Sequence, residues 1–270
     1  MEKVIGFIGC GNMGKAMVEG IMKAKLVYGD QMIVSNAHPE KLQELGNTYD
    51  FYIADNETVA RHADIIFLAV KPYLYAKIID EIKAYLKKEV ILISIAAGIT
   101  LADMEQMCEG ACKVVRAMPN TPALVSEGMS AVCFQDGIDE GLQAEILAIF
   151  ESFGKAAVIE EKLMNSVIAL SGSSPAYVFM LIEAMGDGGV LLGMPRKEAY
   201  HFAAQAVLGA AKMVLETGLH PAELKDMVCS PSGTTIEAVA ELEKNGFRSA
   251  IIEAMRSCAE KNHKMNQTKK

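Results

Sequence analysis

Short apolar runs alternate with amphipathic stretches through the first half of the chain. Val4 to Ile8, Met32 to Ser35, Ile65 to Val70 and Val90 to Ile95 are rich in β-branched and large apolar residues, and amphipathic stretches begin near Asn12, Pro39, Glu57 and Tyr73. Strands that are apolar on successive residues are covered on both faces, and strands separated by helices form a parallel sheet with crossovers. Lys113 to Met118 continues the series, with Met129 to Phe134 and Ala156 to Ile159 expected as later or edge strands. From Glu161 onward, Ala, Leu, Met and Glu recur at helical spacing instead. Helices are predicted over Glu161 to Leu170, Pro175 to Leu192, Arg196 to Glu216, Pro221 to Cys229, Thr234 to Asn245 and Phe247 to Lys264, punctuated by Gly193, Pro195, Gly218, Pro221 and Gly246. The Lys-rich tail after Lys261 is expected to be solvated or frayed. The expected fold is α/β: a doubly wound, mostly parallel sheet over residues 1–160, followed by an all-α domain over 161–270.

Composition narrows the function. The 270 residues carry 26 Lys+Arg against 34 Asp+Glu, a net charge of −8, which lacks the basic footprint of a phosphate-backbone binder and argues against nucleic acid. Mean hydropathy is high, at +0.20. The uncharged stretch Asn165 to Ile182 carries Ser171, Gly172, Ser173, Ser174 and Pro175 in its middle, which is expected to break a membrane-spanning helix. The apolar surplus is therefore assigned to a core plus a subunit interface, since residues 161–270 are too few to bury so many Ala, Leu and Met alone. Small residues such as Ala203, Ala204, Ala206, Gly209, Ala210 and Ala211 permit close helix contact, in an intersubunit bundle or in a tight monomeric one. Six scattered cysteines suggest neither a disulfide framework nor a zinc site, and no metal is expected. The glycine-cut N-terminus does not read as a signal or transit peptide, so a reducing cytoplasm is the expected compartment.

Gly9-Cys10-Gly11-Asn12-Met13-Gly14 follows a strand and opens a helix, the context that the G-x-G-x-x-G motif requires. Gly9 permits the tight turn, Gly11 lets the backbone approach a pyrophosphate, and Gly14 lets helix and strand lie close, while N–H groups at the helix start meet the negative charge. A strand-to-helix turn with no ligand is the alternative. Sites that prefer NAD place an Asp or Glu about 20 residues further on, at the ribose 2′-hydroxyl. Here the second strand ends Val34-Ser35-Asn36-Ala37-His38 without a carboxylate, and Asp30 lies at its opposite end. Ser35 and Asn36 suit a 2′-phosphate, with His38 or Lys41 adding positive charge, so NADPH is expected over NADH, with NADH use possible in the event that the loop is only a turn. The loops Ala69-Val70-Lys71-Pro72 and Ala96-Ala97-Gly98 follow strand ends, where open α/β sheets bind ligands, though strand termination alone accounts for them equally well.

Together with these turns, Arg116-Ala117-Met118-Pro119-Asn120-Thr121-Pro122, Ser171-Gly172-Ser173-Ser174-Pro175-Ala176-Tyr177 and Ser230-Pro231-Ser232-Gly233-Thr234-Thr235 closely resemble the pyrroline-5-carboxylate reductase family, over almost the whole chain. The resemblance implies NAD(P)H-dependent reduction of 1-pyrroline-5-carboxylate to L-proline, the last step of proline biosynthesis. It also implies an N-terminal Rossmann domain and a helical domain that dimerises by interlocking, giving a homodimer or a higher homo-oligomer of dimers. Carried over by position, cofactor contacts fall on Ile8, Gly9, Cys10, Gly11, Asn12 and Met13, on Ser35 and Asn36, on Asn56, on Ala69, Val70, Lys71 and Pro72, and on Ala96, Ala97 and Gly98. Substrate contacts fall on Ser230, Gly233, Thr234 and Thr235. One departure is Ser232, where many members have a second glycine; a positive φ there costs about 1 kcal/mol.

The substrate needs an anion cradle for its carboxylate and a nicotinamide held against its C=N bond, so positioning supplies most of the barrier reduction. The loop Ser230 to Thr235 opens a helix whose N–H groups suit a carboxylate, although plain N-capping by Ser or Thr explains such a stretch equally. A protonated imine accepts hydride without a strong general acid, in keeping with the dispersal of His38, His62, His201, His220 and His263. Thr235 is the candidate catalytic hydroxyl, orienting the imine nitrogen. Asn120 is expected to line the nicotinamide pocket as a substrate contact, with Met118 and Pro119 as apolar walls, and Ser173 and Ser174 as helix starters. Two other readings compete: a β-hydroxyacid dehydrogenase-like enzyme, which would need a lysine in the second domain where only Lys162 stands between Glu161 and Leu192, and a noncatalytic NADPH-binding sensor.

Overall fold

The computed structural model describes residues 1–267. Among the described residues the strands β1 (Ile5–Ile8), β2 (Met32–Ser35), β3 (Tyr52–Ile53), β4 (Ile65–Leu68), β5 (Ile91–Ser94), β6 (Lys113–Met118), β7 (Gly128–Phe134) and β8 (Gly154–Val158) form one sheet in the order β3-β2-β1-β4-β5-β6-β7-β8. All neighbours pair in parallel except β6 and β7. The first six strands thus follow the doubly wound order with its reversal at β1 and β4, which opens a crevice at their carboxyl ends. β3 escapes the sequence pattern because it is two exposed residues long.

Helices cover both faces. α1 (Asn12–Lys23) and α6 (Glu140–Glu151) lie over the face that carries Phe7, Val34, Phe67, Ile93 and Val115. The rings of Phe7 and Phe67 stack at 4.7 Å, and Phe150 meets Phe67 edge-on at 5.8 Å. α3 (Asn56–His62), α4 (Tyr75–Ile82) and α5 (Leu101–Cys108) cover the opposite face, against Ile8, Ile66, Leu68, Leu92 and Val114. α2 (Gln43–Tyr49) sits between β2 and β3 in the chain. Successive residues of β1, β4 and β5 are buried on both sides, as the unbroken apolar runs require.

The chain divides into two compact units, one of Met1–Ser173 together with the end of the last helix from Cys258, the other of Ser174–Ser257. Compactness therefore parts the chain later than residue 160. The reason is packing: Met164 and Ile168, from α7 (Met164–Val167) and the turn after it, join Met118, Ala131 and Cys133 in a small core, and Cys258 touches it. Asn262 Nδ2 donates to Asn165 Oδ1 at 2.6 Å. The tail expected to be frayed is helical instead, since α12 (Phe247–Gln267) continues past Lys261 with Asn262 buried, while Thr268 to Lys270 lie outside the described residues.

The Ser-Gly-Ser-Ser-Pro stretch does not interrupt the helix, contrary to expectation. A wide π-helical turn over Ile168–Gly172 carries the chain from α7 into α8 (Ser174–Leu191), with Ser173 N–H donating to Ile168 O at 2.8 Å. Pro175 has no N–H for the carbonyl of Ser171, four residues earlier, and Asn120 Nδ2 donates to that carbonyl at 3.2 Å instead. The helical run Glu161–Leu191 is long and apolar enough, by length and composition, to cross a membrane.

The second unit contains α8, α9 (Arg196–Thr217), α10 (Pro221–Val228), α11 (Thr234–Lys244) and the start of α12. Gly186 lets the Tyr200 ring lie directly on α8, where a Cβ would stand 2.4 Å from ring carbons. Few of its side chains are buried, Ala199, Ala203 and Leu224 among them, and large apolar groups such as Phe179, Phe202, Leu191 and Leu215 stand exposed. Such a surface needs a cover.

Replacing Asn120 by Ala strands the Ser171 carbonyl and the Met129 N–H that Asn120 Oδ1 accepts at 2.9 Å, so a loss of about 1–3 kcal/mol is expected in urea unfolding. Adding Pro175→Ala restores a backbone donor and should recover part of that loss; a double variant no more stable than Asn120→Ala would contradict the account.

Candidate functional site

The chain turns from β1 to α1 within Gly9, Cys10 and Gly11. Gly9 has φ +89, and a Cβ there would sit 2.8 Å from the Ala69 carbonyl oxygen. Gly14 brings α1 against this turn, with a Cβ position only 3.0 Å from Gly9 O. Gly11 differs: nothing lies within 4 Å of its Cβ position, so what it leaves open is space. Gly11 caps α1 without any side-chain bond, and the first turn holds no acidic residue. Bare N–H groups at a helix start beside open space are an anion site.

That space belongs to a cavity of about 950 Å³, a size that suits a dinucleotide. Of the cofactor contacts carried over by position, all but Gly98 line it. Gly98 is buried just beyond, at φ +78. Pro119 lines the cavity, whereas Asn120 and Met118 do not, Met118 packing in the small core with Met164 and Ile168 instead. The Asn120 amide is committed elsewhere, donating to Ser171 O and Oγ and accepting from Met129 N–H. In this structure the amide thus serves the Ser171 carbonyl, which Pro175 leaves without a helical donor, from 51 residues away in the chain.

Charge is distributed unevenly around the cavity. Burial pushes the Cys10 thiol up to about 11, against the opposing pull of Lys15, so the glycine turn adds no negative charge where an anion would approach. At the β2 end Ser35 is buried and donates to Asn56 Oδ1 at 2.5 Å, while Asn56 Nδ2 donates to Glu81 Oε1 at 3.1 Å. Glu81, from α4, and Asp55 are the carboxylates that line the cavity. The hydrogen bond from Thr58 holds the Asp55 carboxyl below its usual range. Lys71 and His38 also line the cavity, whereas Lys41 does not.

The loop Ser230 to Thr235 belongs to the second unit and ends at the start of α11. Gly233 is the N-cap, with no side-chain bond to the helix, so simple capping by Ser or Thr is not what this stretch does. Gly233 N–H donates to Ser230 O at 3.0 Å, and Ser232 takes φ +56, the left-handed conformation that a second glycine would adopt freely. Ser230 and Thr234 are exposed and Thr235 half-buried. Among the described residues no group of three or more His, Cys, Asp and Glu side chains has the arrangement of a metal centre.

Residues 161–265 match the family model described as pyrroline-5-carboxylate reductase dimerisation, and residues 4–98 match NADP oxidoreductase coenzyme F420-dependent. A pyrroline-5-carboxylate reductase of Escherichia coli is 52% identical over 99% of this chain and 100% of its own. The chain belongs to the pyrroline-5-carboxylate reductase family. Among solved structures, the pyrroline carboxylate reductase of Plasmodium falciparum with NADP bound superposes with a TM-score of 0.89 at 33% identity, covering 98% of both chains. The pyrroline-5-carboxylate reductase of Coxiella burnetii gives 0.91 at 32% identity, covering 98% of this chain and 99% of its own.

One buried element of this family member escaped the sequence reading. Arg116, 2% exposed on β6, donates to Glu161 Oε1 at 2.8 Å, and that oxygen also accepts the Leu101 N–H at the start of α5. A lone arginine in an otherwise apolar strand, Val114-Val115-Arg116-Ala117-Met118, is the signal that an acid must be found for it, and the half-buried Glu161 meets that need.

A thiol held up to about 11 is almost wholly protonated near neutrality, and only thiolates alkylate readily. Cys10 should therefore react with iodoacetamide at pH 8 at least about tenfold more slowly than a free cysteine-containing peptide, as followed by mass spectrometry. Equal rates would contradict the assigned environment.

Proposed function

We propose that this protein reduces 1-pyrroline-5-carboxylate to L-proline with NADPH, NADH serving as a weaker donor. The full-length 52% identity to the Escherichia coli reductase carries this reading. The space left by Gly11, the uncapped start of α1 and the 950 Å³ cavity fit a dinucleotide independently of that likeness. Its phosphates would meet the N–H groups of Gly11, Asn12 and Met13, and the small side chains Ala69, Ala96 and Ala97 would leave room for the ring end. When bound, the reduced nicotinamide supplies the hydride that the imine carbon accepts. Asn36, with His38 and Lys71, favours a 2′-phosphate, whereas Glu81 opposes it; Ser35 acts by orienting Asn56 rather than as a free donor.

The substrate's carboxylate would rest on the first N–H groups of α11, between Ser230, Gly233 and Thr234. Thr235 would hold its hydroxyl to the imine nitrogen, fixing the C=N plane and placing the proton that remains on the amine product. The exposed apolar faces of the second unit, within the dimerisation region of residues 161–265, are read as buried against a second copy. That assignment also accounts for the apolar run Glu161–Leu191 without a membrane. Six unpaired cysteines suit the cytoplasm.

Oxidation of NADPH that depends on pyrroline-5-carboxylate is the direct test, and cofactor binding without turnover would favour the sensor. Loss of the Thr235 hydroxyl in Thr235→Ala should lower kcat/KM by about 5–30-fold, the worth of a well-placed hydrogen bond, with unchanged NADPH affinity. Gly11→Ala meets no protein atom, so its melting temperature should stay within about 2 °C of wild type while NADPH affinity falls about tenfold or more by calorimetry.

A further inference from the structure

Tyr75 opens α4 and is fully buried. Its neighbours in that core are Ile8, Leu68, Ile79 and Leu92, among which a phenylalanine would fill the same space. A hydroxyl placed there loses water and is tolerated only where protein groups replace it. Here they do. The Tyr75 hydroxyl donates to the Leu68 carbonyl oxygen at 2.7 Å and accepts from Ser94 Oγ at 3.2 Å. Ser94 Oγ in turn accepts the Ala96 N–H at 3.4 Å. Burial pushes the phenol well above its usual range, outweighing the Ser94 hydroxyl and the N–H groups of Ile95 and Ala96, so it stays a protonated donor across the physiological range.

The place of these bonds matters more than their number. Leu68 and Ser94 are register partners and the last residues of β4 and β5. Immediately beyond them the chain runs into Ala69–Pro72 and Ile95–Ala97, two neighbouring segments that line the same cavity as the glycine turn. One hydroxyl thus spans the ends of two adjacent strands where the sheet ladder stops, and it reaches the backbone of Ala96 through Ser94.

We infer that Tyr75 is a positioning residue for the cofactor: its hydroxyl, relayed through Ser94, holds the two strand-end loops at the separation that a bound dinucleotide requires. The inference rests on the cofactor reading given above. Tyr75 touches no ligand in this arrangement and acts through Leu68 and Ala96.

Tyr75→Phe, Ser94→Ala and the double variant test it in the full-length protein, with NADPH affinity measured by calorimetry and KM measured separately for NADPH and pyrroline-5-carboxylate. Tyr75→Phe is expected to raise Kd and KM for NADPH about 5–20-fold, the range of one or two lost buried hydrogen bonds, with kcat at saturating NADPH and KM for pyrroline-5-carboxylate within about twofold of wild type. Ser94→Ala should shift the same constants in the same direction by less. The double variant should be no weaker than Tyr75→Phe by more than about twofold, because both changes cut one chain of bonds. A lowered melting temperature with unchanged NADPH affinity would overturn the proposal and leave Tyr75 a packing residue. Should Tyr75→Phe fail to fold, Ser94→Ala carries the same readout, and an unshifted Kd there overturns it equally. Wild-type protein that binds no NADPH would instead remove the cofactor reading on which the inference stands.

Discussion

Backbone groups at the carboxyl ends of parallel strands lose their ladder partners, and when those ends line a crevice inside the molecule each group must find another. This constraint organises the first unit. Gly9 N–H donates to Ser35 O, Ala69 N–H to Ile8 O and Ala54 N–H to Val34 O, each at about the ideal distance, so the departing loops are stitched to the strands beside them. The Leu68 carbonyl is met by a side chain. Glycine at position 9 is a consequence of the same stitching, for the loop from β4 comes so close that no side chain fits.

Two long-range polar contacts apply the same rule farther from the crevice. Asn120 replaces the donor that Pro175 lacks, and Glu161 both neutralises Arg116 and receives the first N–H of α5. Each couples a sheet end to the chain after residue 160. A charge pair whose arginine alone is buried, as here, contributes little net stability when intact, yet removing Glu161 leaves the buried Arg116 without its partner. Its value lies in fixing where α5 and the short helical turn at Glu161 begin relative to β6.

What the sequence reveals follows the range over which each feature is determined. The glycine turn is local: strand, turn and helix lie within twenty residues, so its role and its geometry are both legible. The sheet's parallel half is legible because burial on both faces leaves continuous apolar runs, whereas β3, exposed and two residues long, leaves none. Asn120 is misleading because its position after a strand suggests a pocket, while its bonding is decided by Ser171 and Met129. Glu81 is invisible among the cavity's lining residues because it arrives from a helix 46 residues beyond Ser35 rather than from the strand tip. Ser171 to Pro175 reads as a break because proline usually ends a helix; the wide turn and a borrowed amide let it continue. Ser232 is the converse case, where comparing one residue with a family pattern marks the position whose φ matters, and the positive value is found there.

The first and the second unit share one device, a helix capped by glycine alone, at Gly11 before α1 and at Gly233 before α11. Neither cap places a side chain over the leading amides. Peptide N–H groups do not ionise, so an anion gripped by them meets donors whose strength is the same in acid and in base, unlike a lysine or a histidine. The amides themselves then contribute no variation with proton concentration, and a protein of net charge −8 can still offer an anion neutral donors at two helix starts, with the basic side chains of Lys71 and His38 standing around the cavity at the first.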